Sequence, residues 1–152
     1  MTCADPRCVP QAFFGPEFRG SVHQNAGGRV TEDVIRSYNV LRALANLKVV
    51  LVVHHTGIVT SYSDFLLIAN CSTDCGMTHV TKDEIRDVAT SKNPAAAVEV
   101  DEMDLGLFKP EDLEETVKED VRKLRSEKTL DGLEVYGFIL ETDKGVVREI
   151  DV

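Results

Sequence analysis

In the segment TEDVIRSYNVLRALANL, which starts at Thr31, apolar side chains fall at Val34, Tyr38, Leu41 and Ala45, in steps of four, three and four. That spacing predicts an amphipathic helix, with Glu32 and Asp33 in its first turn where acidic groups favour the helix dipole. The pattern then changes. Lys48 to Val53 reads KVVLVV, a β-branched run without polar alternation, as expected of a strand covered on both faces. A helix leading into a buried strand indicates a parallel α/β sheet. The run terminates in His54 and His55, and the carboxyl ends of strands are where open α/β sheets bind ligands. Further on, Thr81-Lys82-Asp83-Glu84 has the form of a capping box and predicts a helix to about Ala89. After a loop around Asn93 and Pro94, Pro110 to Ser126 carries Leu113, Val117, Val121 and Leu124 at helical spacing, a third amphipathic helix. Leu133 to Leu140, the turn Asp143-Lys144-Gly145 and Val146 to Ile150 predict a C-terminal hairpin.

A chain of 152 residues has room for one core, so residues 1–152 are expected to form a single domain. Its 26 acidic against 17 basic residues give a net charge of −9, which repels a polyanion and argues against a nucleic-acid partner. A small substrate suits it better. Residues 99 to 120 hold ten Asp and Glu against Lys109 and Lys118, and we read this acid as a solvated helix face. The apolar run around Val49 to Val53 falls far short of the roughly 20 residues that cross a bilayer, so no membrane partner is expected. No basic stretch followed by an apolar one opens the sequence, which points to a cytoplasmic, thiol-reducing setting.

In such a setting, cysteines at 3, 8, 71 and 75 suit metal binding or catalysis better than a disulfide framework. Thiolates and imidazole suit Zn²⁺, and a catalytic zinc site keeps three protein ligands and an open fourth position. Two cysteines and a histidine meet that requirement. A structural alternative uses Cys3, Cys8, Cys71 and Cys75, which would close all four positions. A further alternative is a catalytically impaired relative that acts through protein interaction, with Glu111 to Asp120 as its surface.

The opening CADPR supplies Cys3, Asp5 and Arg7; Gln24-Asn25-Ala26-Gly27-Gly28-Arg29-Val30 follows; and HHT, ending at Thr56, precedes Asp74-Cys75-Gly76. These motifs, in this order around the predicted helix and strand, resemble the β-class carbonic anhydrases. The resemblance runs from Cys3 through VTKDEIRD to VYGFILETDKG. It implies an α/β fold with a parallel-sheet core flanked by helices and a C-terminal hairpin. It also implies Zn²⁺ held by Cys3, His55 and Cys75, reversible hydration of carbon dioxide to bicarbonate by zinc-bound hydroxide, and a homodimer or higher homo-oligomer. In that family the Asp5–Arg7 pair keeps the aspartate off the metal and orients the attacking water. His54, which strand alternation turns to the opposite face from His55, is expected to be packed or hydrogen-bonded. His79 is a candidate proton relay, and Cys8 is expected to be a small packed residue.

The chain departs from the family pattern in three places. His55 and Cys75 would stand three residues apart without Gly57 to Thr73, so residues 57–73 are read as an insertion of the kind an unspliced short intron would leave. Only Met1 and Thr2 precede the first cysteine where the family has a strand, so the domain is expected to be N-terminally truncated. Gln24 stands where the family has an arginine.

Overall fold

The computed structural model describes residues 1–56 and 75–152; the insertion read at 57–73, with Cys71, lies outside the described residues. The first predicted helix forms as α2, Glu32–Ala45, and ends where Asn46 turns left-handed with φ 52°. It delivers the chain to β3, Val49–His55, which runs through both histidines. Two short strands precede them, β1 at Thr2–Cys3 and β2 at Gln24–Asn25, with a single helical turn, α1, at Pro10–Phe13 between. The capping box starts α3, Lys82–Thr90, as expected. A 3-10 turn at Pro110–Asp112 opens into α5, Leu113–Ser126, and the hairpin consists of β4, Glu134–Glu141, and β5, Val146–Ile150.

The sheet has the order β2-β1-β3-β4-β5. β3 lies parallel to β4 from Val49↔Glu134 to His55↔Leu140, and parallel to β1 through Thr2↔Val53. β1 is parallel to β2, and only β5 runs antiparallel. The parallel core, flanking helices and terminal hairpin are those expected. Val34 and Tyr38 of α2, Val117, Val121 and Leu124 of α5, and Val52, Val135 and Ile139 of the sheet share one buried cluster. This is how the helical stripes read in the sequence are spent.

Two expectations need correction. β3 is not covered throughout: Val49 is 45% exposed and Leu51 is half-buried, while Val50 and Val52 to His55 are buried. The acidic stretch is also not all solvated. Glu99, Asp101, Glu111 and Glu115 are exposed, but Asp120 is buried on α5 and paired. Part of the stretch forms a helix the periodicity did not reveal, α4 at Ala97–Glu102. Among the described residues no helix is long and apolar enough to cross a membrane.

Candidate metal centre

Three segments meet at the carboxyl ends of β1 and β3. Thr2 sits in register with Val53, so Cys3, the last residue of β1, arrives beside the end of β3. Alternation along β3 sends His54 toward α5 and His55 to the opposite side, where Cys3 lies. Cys75 caps the 3-10 turn Gly76–Thr78, and the Thr78 backbone N–H and hydroxyl both donate to its carbonyl at 2.8 Å. The sulfurs of Cys3 and Cys75 stand 3.9 Å apart, and together with a ring nitrogen of His55 they lie within 4.8 Å of one another. All three residues are buried. The structure thus brings together the histidine and cysteine that the sequence holds 20 positions apart.

The donor set fits zinc. A tetrahedral zinc with Zn–S near 2.3 Å places two sulfurs about 3.8 Å apart, close to the spacing seen. His55 Nδ1–H donates to the Thr56 carbonyl at 2.8 Å, which orients the ring and leaves Nε2 as its ligating atom. Nε2 is buried and has no hydrogen-bond partner. The Cys3 and Cys75 sulfurs share a hydrogen bond, which with His55 beside it holds the Cys3 thiol well below its usual range despite burial. The same bond to Cys3, with burial, pushes the Cys75 thiol up. Burial opposes a charged imidazole at His55, but the thiol groups of Cys3 and Cys8 outweigh it and raise His55 to about 10.

Asp5 lies two residues beyond Cys3. Its Oδ1 accepts from the Arg7 backbone N–H at 2.8 Å and from Nε at 2.9 Å, and its Oδ2 accepts from the guanidinium at 2.7 Å. Burial works against the charge, yet these bonds hold the carboxyl below its usual range. The expected turn beside the site is present. Gly27 and Gly28 both have positive φ, 73° and 70°. A Cβ on Gly28 would stand 2.9 Å from the Cys3 backbone nitrogen, so only glycine admits this approach. Gln24, in place of the family's arginine, donates to the carbonyls of Cys3 at 3.1 Å and Cys8 at 3.4 Å and ties the loop after β1 to β2.

Cys8 is fully buried as a packed residue but is not in the three-residue group, and Cys71 lies outside the described residues. His79 is exposed at the end of the turn that Cys75 caps. His54 is buried and hydrogen-bonded to Thr116 and Asp120. These two partners and Arg29 were missed in the sequence. The available signal was that Thr116 and Asp120 are four apart, each one residue before an apolar position of the α5 stripe.

No family model and no curated protein matches the chain. Among solved structures, a carbonic anhydrase from Streptococcus mutans is 29% identical with a TM-score of 0.72, covering 99% of this chain and 78% of that one. A carbonic anhydrase from Glaciozyma antarctica is 25% identical with a TM-score of 0.75, covering 99% and 79%. A β-carbonic anhydrase from Trichomonas vaginalis shares the fold at 20% identity and TM-score 0.68, covering 98% and 79%. So does a carbon disulfide hydrolase in its apo form, at 22% and 0.69, covering 99% and 76%. Architecture shared over 98–99% of its length relates this chain to the β-class carbonic anhydrase family.

Proposed function

We propose that the chain is a zinc-dependent carbonic anhydrase, a carbonate dehydratase that interconverts carbon dioxide and bicarbonate. The observation that carries this reading is the convergence of Cys3, His55 and Cys75 beside a carboxylate held by arginine. Among the described residues no fourth ligand joins the three, which suits a site with one open position. When bound there, zinc supplies the Lewis acidity that lowers the pKa of water toward about 7.

The chain's own residues do the rest. Asp5 spends three of its roughly four lone-pair positions on Arg7, so it is held from competing as a ligand and keeps one position, on Oδ2, to orient the attacking water. Arg7 is therefore a positioning residue for Asp5. Val53 and Leu140 are buried with the two cysteines, and Met77, Phe108 and Phe138 pack against them. Such a wall suits an apolar substrate such as carbon dioxide and excludes bulk water from its approach. The proton released on hydration leaves toward solvent, where His79 is exposed.

On the same reading residues 1–152 work as one domain and assemble as a homodimer or higher oligomer, and a reducing cytoplasm keeps the buried thiols of Cys3, Cys8 and Cys75 free. Stopped-flow hydration of carbon dioxide by the zinc-loaded chain, run beside carbon disulfide consumption, tests the activity. Zinc-dependent hydration that disappears in Cys75→Ser is the expected result. Stoichiometric zinc without hydration would leave an impaired relative, and consumption of carbon disulfide alone would change the substrate.

A further inference from the structure

We propose that Thr116, Asp120 and Arg29 are positioning residues for the Cys3–His55–Cys75 cluster, acting through His54 and the Gly27–Gly28 turn; the inference rests on the metal reading of that cluster. His54 is fully buried and fixed at both ring nitrogens. Its Nε2–H donates to Asp120 Oδ2 at 3.1 Å, and its Nδ1 pairs with Thr116 Oγ1 at 2.9 Å. The ring also stacks on Phe108 with centroids 6.2 Å apart. Because successive residues of a strand point to opposite faces, fixing His54 against α5 fixes the direction in which His55 leaves β3.

Asp120 reaches the other ligands through Arg29. Its Oδ2 accepts from Arg29 Nε at 2.9 Å, and the guanidinium lies 5.9 Å from the Phe108 ring centroid and also pairs with Glu119. Arg29 directly follows the two glycines, and its carbonyl accepts from Asn25 Nδ2 at 2.8 Å, which closes the turn. Gly28 abuts the backbone of Cys3, while a Cβ on Gly27 would stand 3.0 Å from Met77, two residues beyond Cys75. One buried carboxylate thus ties together the strand end that carries His55 and the turn that abuts the Cys3 backbone, and that turn also lies against the Met77 side chain, two residues beyond Cys75.

A buried ionic network of this kind holds a single arrangement only when every partner is in place. Groups that orient ligands from behind typically change metal affinity or activity 10–100-fold when removed. Neither Thr116 nor Asp120 belongs to the three-residue group, so a change in metal binding on their substitution would pass through His54 and the turn.

The test uses the full chain and its Thr116→Val, Thr116→Ser and Asp120→Asn variants, with Val121→Ala as a control that loosens α5 without touching the network. Zn²⁺ and Co²⁺ affinities are measured by chelator competition, and the visible bands of the Co²⁺ form report ligand geometry. Thr116→Val and Asp120→Asn are expected to weaken both metals about tenfold or more and to shift the Co²⁺ bands. Thr116→Ser should restore both, and Val121→Ala should lower thermal stability alone. Unchanged affinity and bands in Thr116→Val would overturn the proposal even if stability falls, and that variant decides the matter should Asp120→Asn not fold. If the unsubstituted chain takes up no stoichiometric metal, the metal reading itself fails, and the positioning role with it.

Discussion

Among the described residues the Asp5 carboxylate takes its three hydrogen bonds from one residue, Arg7, and its side chain is 16% exposed against 34% for the arginine. An exposed ion pair at this spacing would be worth under about 1 kcal/mol and would affect little else. Here the pair begins two residues from a cluster cysteine, and on the proposed function its effect falls on the reaction. Asp5→Ala and Arg7→Ala are each expected to retain one zinc per chain while the hydration rate falls about 10–100-fold; elemental analysis beside stopped-flow kinetics checks both. Zinc lost in parallel with activity would make Asp5 a structural ligand. Much of this scale was legible in the sequence, since Cys3, Asp5, Arg7, His55 and Cys75 all stand in short motifs. Asp120 was not, because its only mark within the acidic run is its place four after Thr116 and one before Val121, beside the apolar stripe. Its burial depends on Arg29, 91 positions away.

At the scale of elements, α3 depends on a reciprocal cap. Glu84 N–H donates to Thr81 Oγ1 at 3.2 Å, and the Thr81 N–H and hydroxyl donate to the Glu84 carboxylate at 2.8 and 2.9 Å. The Thr81 N–H first and the hydroxyl second hold the Glu84 carboxyl below its ordinary 4.5. A lowered folded pKa means that the cap is intact above 4.5 and is lost as pH falls through the folded value. An NMR titration of Glu84 should therefore have its midpoint below 4.5, and Thr81→Ala should move it back toward the ordinary value; equal midpoints would show that the cap is not formed in solution. Packing sets a second test. A Cβ on Gly137 of β4 would stand 2.6 Å from Val117 Cγ1 of α5. Gly137→Ala is thus expected to cost about 1–3 kcal/mol by overpacking, measured by chemical denaturation, and an unchanged midpoint would contradict the close approach. α2, α3, α5 and the hairpin were legible because period, cap and turn are local properties. α1 and α4 were not, since four and six residues are too few to establish a helical period.

For the whole molecule, the decisive feature is the order of strands. Periodicity identifies β3 as a buried strand but cannot say that β1 lies beside it, and that adjacency is what brings Cys3 to His55. The family motifs supplied the expectation, and the parallel register shows how it is met. Cys75 then arrives from the far side of residues 57–74 to complete a cluster whose three members come from three separate segments. The central claim is that this cluster holds one zinc and leaves one position open. Zinc K-edge X-ray absorption of the zinc-loaded chain tests it most directly. Two sulfurs at about 2.3 Å, one nitrogen at about 2.0–2.1 Å and one further light atom are predicted. A shell of three or four sulfurs, or one without sulfur, would contradict it.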